Sequence, residues 1–432
     1  MTEEEAKNSG IVMPDKLPGN IEGRVFDLDG YDITIGPSDM FNFPLLYKSD
    51  GEGARARNAL IPETDPEVKA VITELPDGNY DITDDLGRPS RMVRIPKFKW
   101  SDVIEGGRDE TCSAFIVGGR EVDCIYVSKY MNIIRDGRAY SVYGEDPATM
   151  ITIEDARQAC AKKGRGWHMI TNAEWCAIMH WCRKNTGRPH GNTYDGRDFY
   201  KQDVQEAVLS PKMPALEDVT AEVRTLTGTG PVTWSHDGTE AGIYDLVGNV
   251  WDSVQGFRIV EGEIQIIPDN DSAMNVDEGP DSTEWRAILR DGTLVTPGTE
   301  GTLKYDGTAP GSDVHFSAMV KSGVRINDKI EFPHYTGEDR PAKYGFVVAP
   351  FSAIEMADGG EPPMILKELG IVPMDEDTGR EALFLRNNGE QMAFRGGSWY
   401  DYSPSGMWEL YLRDDRDYIF PDIGFRSAFV EL

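Results

Sequence analysis

The side chains able to do chemistry in this 432-residue chain are scattered by type, and only one stretch concentrates them. Six His stand at 168, 180, 190, 236, 315 and 334, with no H-x-x-x-H-x-E array and no H-E-x-x-H pair to hold a metal. His180 and His190 lie ten positions apart across the end of a helical pattern, and His180 reads as a helix-surface or core residue. Five Cys, at 112, 124, 160, 176 and 182, include no C-x-x-C. Cys176 and Cys182 fall on nearly opposite sides of one helix, too far apart to bridge, so buried free thiols are expected. Neither G-x-S-x-G nor a P-loop is present. The run from Pro268 to Asp281 carries five acidic residues and no Lys or Arg. It is either a solvated acidic loop or a Ca²⁺ site of clustered carboxylates, and its spacing matches no EF-hand loop. With 74 Asp and Glu in the chain, counting carboxylates neither supports nor removes glycosidase-type chemistry. No catalytic residue, metal ligand or cofactor is assigned on these grounds.

The concentrated stretch is C-terminal. Phe394-Arg395-Gly396-Gly397-Ser398-Trp399 and Ile423-Gly424-Phe425-Arg426-Ser427-Ala428-Phe429 read as strands, with paired Gly where backbones crowd. Between them, YDYSPSGMWELYLRDDRDYIFPD is rich in Tyr, Asp, Ser, Arg and Phe and holds no Asn or Lys. The frames read as scaffold and the filling as a displayed surface, because Tyr, Trp and Arg anchor interfaces at modest entropy cost.

These residues carry a resemblance. RGGSW followed by IGFR is similar to the end of the C-type lectin fold of the formylglycine-generating-enzyme (sulfatase-modifying factor) kind. Gly242-Ile243-Tyr244-Asp245-Leu246-Val247-Gly248-Asn249-Val250-Trp251-Asp252 resembles the same fold's G-x-x-D-x-x-G-N-V-W-[DE] element, and Thr171-Asn172-Ala173-Glu174-Trp175 its second helix start. The narrower pattern from Ser405 to Arg426, with the segment Trp181 to Asn192, resembles phage and viral variable proteins diversified by retroelements. In that family the adenines of Asn codons (AAC) are randomised, which can yield Tyr, Asp, Ser, Arg or Phe, among others, but never Trp, Met, Glu or Lys. Tyr400, Asp401, Tyr402, Tyr411, Arg413, Asp414, Tyr418, Phe420 and Asp422 fit that filter, and Trp408 and Glu409 do not. The resemblance covers about residues 92–267 and 381–432. It implies that those nine residues form a ligand-contact surface. Gly396, Gly397, Trp399, Leu410, Leu412, Ile423, Gly424 and Phe425, with Gly248, Asn249 and Trp251, would hold the scaffold. Arg395 and Arg426 would tie strands together. The formylglycine-generating oxidase needs a cysteine pair near this frame to hold copper, and no Cys follows Cys182.

The implied function is a diversified ligand-binding protein, not an enzyme, displayed on a phage or viral particle for attachment to a protein or glycoprotein of a host surface. Other virion tail proteins are further expected partners. The alternatives are an enzyme of the formylglycine-generating superfamily with an unrecognised reaction, and a fixed structural tail component. A net charge of −30 argues against nucleic acid and anionic membranes as partners. No run of about 18 apolar residues is present, so no membrane insertion is expected. The acidic MTEEEAKNSG start is unlike a signal peptide. The expected localisation is synthesis in the cytoplasm and release on a virion.

The elements that must position this surface follow an α+β plan, a C-type lectin-like fold preceded by a small β-rich module. Residues 1–92 form that module, with turn signals at Leu17-Pro18-Gly19-Asn20, Gly36-Pro37-Ser38-Asp39 and Pro76-Asp77-Gly78-Asn79, and are expected to attach the protein to the particle. Residues 93–432 form the lectin-like domain, with an insertion at about 268–380 and a variable region at about 399–422. Arg91–Phe98 is its expected first strand, and Gly118-Gly119 turns a hairpin between Phe115–Val117 and Val122–Val127. Thr152 with Asp155, and Thr171 with Glu174, cap two helices. The first runs to Gly164, and the second, striped by Trp175, Ile178, Met179 and Cys182, to Gly187. Within the insertion, 292–295 and 301–305 are expected to pair. Its aromatics Trp285, Phe316, Phe332, Tyr335, Tyr344 and Phe346 predict an ordered segment.

Overall fold

A computed structural model describes residues 69–201, 207–210, 224–307, 324–333, 346–375, 381–399, 401 and 405–432, and the backbone of three strands nearer the N-terminus. The chain divides into two units, one of Met1–Glu63 with Pro214–Thr220 and one holding the rest. In the first, Val25–Leu28, Tyr31–Ile35 and Leu46–Ser49 form an antiparallel three-stranded sheet.

The boundary expected at residue 92 moves back to 63. Ile72–Glu74 and Tyr80–Thr83 pair in sequence with Pro89–Pro96, the expected first strand of the lectin-like unit. Ile82 and Met92 from these strands are buried against Tyr126, Trp167 and Phe429, so their apolar face belongs to the second unit's core. The six-stranded sheet they join runs Trp167–Met169, Ser427–Phe429, Cys124–Ser128, Pro89–Pro96, Tyr80–Thr83, Ile72–Glu74.

A larger curled sheet is centred on Trp251–Val260, which pairs antiparallel with Glu390–Arg395 and Glu263–Ile266 and parallel with Ile423–Phe425. The helix Asn172–Asn185 packs on this central strand. Its cap forms as expected, with Thr171 and Glu174 exchanging side-chain-to-backbone bonds. In Ile153–Ala161 the Thr152 hydroxyl accepts from Asp155 N, but Asp155 returns its carboxylate to the Thr152 hydroxyl at 2.9 Å. Asp is one methylene shorter than the Glu of a full capping box. Gly118 and Gly119, both at positive φ, turn the hairpin Ile116–Val117 to Arg120–Glu121.

The expected pairing of 292–295 with 301–305 is corrected. Leu294–Val295 pairs with Arg286–Ile288, and Lys304–Asp306 pairs with Arg325–Asn327 and the Glu263 end of Glu263–Ile266. The insertion is not an appendage. Ile288, Leu303, Tyr305, Ile326, Phe351, Leu366 and Ile371 share one buried cluster with Trp175, Ile178 and Met179 of the helix. Trp285 is fully buried, while Phe316, Tyr335 and Tyr344 lie outside the described residues.

Candidate functional site

The C-terminal frames are fixed from behind by two buried guanidiniums. Arg395 donates to Asn172 Oδ1 at 2.8 and 3.1 Å and to the carbonyls of Leu369 and Gly370 at 3.2 and 3.0 Å. Leu369 and Gly370 close the helix Met364–Glu368, so the charge faces the negative end of a helix dipole. Arg426 grips Asp252 through Nε and Nη2, at 2.9 and 2.8 Å, and donates to the carbonyls of Tyr244 and Asp245. Asp245 Oδ2 in turn accepts from Thr227 Oγ1 and Gly228 N. Asn249 bridges both backbone groups of Thr225. Trp251, Trp399 and Phe425 are buried. These residues therefore hold strands from the inside.

The filling departs from expectation. Tyr400 and Tyr402 lie outside the described residues. Tyr411 is 8% exposed, and its ring packs against Trp251, Phe384 and Phe394 at centroid distances of 5.3, 5.3 and 5.7 Å. Its strand, Leu410–Leu412, pairs antiparallel with Phe394-Arg395 and parallel with Ala382–Leu385. Leu410 and Leu412 enter one core cluster and Tyr411 another, so neither face of the strand meets water. Its hydroxyl donates to Asp414 Oδ2. Asp401 and Asp422 are also buried and are not contact residues of an open face. Asp401 Oδ2 accepts from Ser398 N at 2.7 Å and Ser398 Oγ at 2.6 Å. Burial, with Asp401 nearby, pushes the Asp422 carboxyl up to about 8, against the opposing effect of Ser398, which neighbours both acids.

Two residues that fail the codon filter complete this buried acidic group or pack beside it. Glu409 is 0% exposed, and among the described residues neither of its carboxylate oxygens has a hydrogen-bond partner. Burial, with Asp401 and Glu381 close by, pushes it well above the usual carboxyl range. A methyl group added at Gly397 would sit 2.2 Å from Glu409 Oε2 and 2.8 Å from Ser405 Oγ, which is why this position excludes side chains. Arg188 reaches Glu381 Oε1 at 2.8 Å and the Ser405 carbonyl at 2.8 Å. Trp408 packs on His180 and Phe351 inside the core. Sequence reasoning missed Glu381, Glu409, Ser398 and Arg188. The available signal was Glu409 standing between Trp408 and Leu410 in an apolar strand.

What remains near solvent is the segment after that strand. Arg413 lies over the Phe346 ring at 4.0 Å, Asp414 is half-buried, and Tyr418 stacks on Phe420 at 5.9 Å with an interplanar angle of 8°. Beside it opens a cleft of about 530 Å³ lined by Arg386, Asn388, Glu390, Gln391 and residues 414–418. A second open cleft, of about 830 Å³, lies among Arg258, Arg286, Asp281 and residues 294–297.

Elsewhere, the five thiols are free and four of them are buried. His180 is buried among Trp100 and Trp408, and burial lowers it to about 4. His190 Nδ1 bonds Asp198 Oδ2 at 2.7 Å. Asp271 of the acidic run accepts from Gly118 N, and Glu278 accepts from Gly256 N and Gln255. Among the described residues no three His, Cys, Asp or Glu side chains are placed to hold a metal ion, and no helix is long and apolar enough to cross a membrane.

Residues 65–275 match the Sulfatase-modifying factor enzyme 1-like domain, so that domain is present in the chain. Its C-type lectin-like fold agrees with the curled sheet and few helices described above. The start of the match, at 65, falls two residues after the boundary between the two units. Its end precedes the C-terminal frames. No curated protein matches the chain.

Proposed function

We propose that this protein binds a ligand through the C-terminal surface of its lectin-like scaffold, as a retroelement-diversified attachment protein of a phage or virus. The observation that carries the reading is the contrast between frame and loop. Arg395 and Arg426 lock the frames from inside, while Arg413 to Phe420 emerge beside an open cleft. A rigid frame presenting exchangeable side chains lets the surface change without disturbing the fold. The contact set is narrower than the nine residues that fit the codon filter: Arg413, Asp414, Tyr418 and Phe420 remain in it, and Tyr411, Asp401 and Asp422 leave it. The expected partner is a protein or glycoprotein on a host cell, met by a particle that carries this chain. The protein acts by binding, with no reaction of its own and no cofactor.

The test begins with DNA. A reverse-transcriptase gene and a near-copy of the region encoding residues 399–422, differing at adenines, should lie close by. Their absence would leave a formylglycine-generating-superfamily enzyme or a fixed tail component as the better reading. The binding surface is checked with host-surface extracts. Tyr418→Ala is expected to weaken capture by about 2 kcal/mol or more while costing the fold less. Equal capture by wild type and Tyr418→Ala would move the site away from this face.

A further inference from the structure

We infer that the cleft between Arg386–Gln391 and Asp414–Tyr418 takes a basic peptide segment, an extended stretch presenting Arg or Lys side chains. The inference rests on the binding reading above and names the class of ligand. Two carboxylates on one wall, Asp415 and Asp417, are exposed, and among the described residues neither has an ion-pair partner. Asp414 stands beside them, turned toward the Tyr411 hydroxyl and within 3.9 Å of Arg413.

The opposite wall supplies an independent observation. Gln391 is 4% exposed; its Nε2 donates to the Asn388 carbonyl at 2.6 Å, and among the described residues its Oε1 has no donor. Asn388 Oδ1 also lacks a donor among the described residues. Two of the cleft's charged groups are already committed. Glu390 pairs with Arg416 at 2.6 Å and with Arg258 at 2.6 Å. The surplus in the cleft is therefore of acceptors: the Asp417 carboxylate, the second oxygen of Asp415, whose Oδ1 accepts from Asp417 N at 3.1 Å, and two amide oxygens. Against them stands Arg386, which has no ion pair and whose Nε has no acceptor among the described residues. A guanidinium or ammonium group supplies several donors and the opposite charge, and a peptide carbonyl supplies the acceptor that Arg386 lacks. Tyr418 at the rim adds a ring face for the cation. A polyanion meets the wrong sign here, and a neutral sugar leaves the carboxylates without a counter-charge.

The test is fluorescence anisotropy with a fluorescein-labelled peptide of repeated Gly-Arg-Gly-Ser, against the same peptide with citrulline in place of Arg. Citrulline keeps the shape and removes the charge. At about 0.15 M salt, where non-specific attraction is screened, wild type is expected to bind the Arg peptide saturably and the citrulline peptide about tenfold or more weakly. Asp415→Asn with Asp417→Asn is expected to lose about tenfold. Glu74→Gln with Glu105→Gln makes the same change in net charge at exposed positions on other elements, and is expected to change affinity less than about twofold. Gln391→Leu should weaken binding several-fold at an unchanged thermal midpoint. The inference is overturned if both double variants lose affinity equally, if citrulline binds as well as Arg, or if wild type shows no saturable binding. Capture of a host ligand that is lost with Tyr418→Ala, without binding of the Arg peptide, would overturn this inference and leave the binding function standing. Failure of both would remove the function reading itself.

Discussion

Tyr411→Ala is expected to destabilise the fold by roughly 3–5 kcal/mol, the cost of emptying a buried aromatic site. The ring fills the space between Trp251, Phe384 and Phe394, and strands on both sides of Leu410–Leu412 leave little freedom to collapse into the gap. The hydroxyl adds a smaller term. Tyr411→Phe loses the bond to Asp414 and should cost about 1 kcal/mol. Chemical denaturation of the two variants separates the contributions, and a loss below about 1 kcal/mol for Tyr411→Ala would place the ring at the surface.

The stability of Asp422→Asn relative to wild type is expected to rise as pH goes from about 6.5 to 8. Burial raises the folded-state value of Asp422 to about 8, whereas in the unfolded chain it titrates near 3.9. The folded protein holds a proton that unfolding releases. The stabilisation is complete below the unfolded value and is lost as pH rises through the folded one. The limiting slope is about 1.4 kcal/mol per pH unit. Burial lowers His180 and His236 to about 4, which makes stability rise with pH up to their unfolded value near 6.5, so measurement above that point leaves them out. Lys163, buried and lowered well below its usual value, acts in the opposite direction to Asp422. It is common to both proteins, so the difference between variant and wild type reports the buried Asp422 and Asp401 pair. Parallel stability curves for the two proteins across this range would show that Asp422 is ionised throughout.

The helices and frames were legible because local chemistry specifies them. Thr171 and Glu174 cap a helix whatever the rest of the chain does, and Trp175, Ile178, Met179 and Cys182 repeat at the helical period. The Gly118-Gly119 turn declares itself in two residues. What could not be read is which side of the C-terminal filling faces inward. A strand covered on both faces has no polar alternation, so Leu410-Tyr411-Leu412 gives no sign that the Tyr is enclosed. Buried carboxyls are equally silent in a sequence. Asp401 and Asp422 stand 21 positions apart and meet at Ser398 only because the two frames flank the same strand. The start of the second unit was misplaced for a similar reason, since Ile72–Glu74 and Tyr80–Thr83 look like any short strands until their partner is known.

The stretch 423–429 is a late latch on two seams. Ile423–Phe425 lies along Trp251–Ser253, and Ser427–Phe429 fills the gap between Trp167–Met169 and Cys124–Ser128. Arg426, between them, neutralises Asp252 in the interior. A chain made only as far as residue 420 leaves Trp167–Met169 without its bridge to Cys124–Ser128, and Asp252 without its counter-ion. Folding waits for contacts that span some 300 positions, as Ser128 to Ser427 does at 2.9 Å. A shifted reading frame anywhere between 400 and 422 removes the latch, and the product is expected to carry unpaired strand edges and to aggregate.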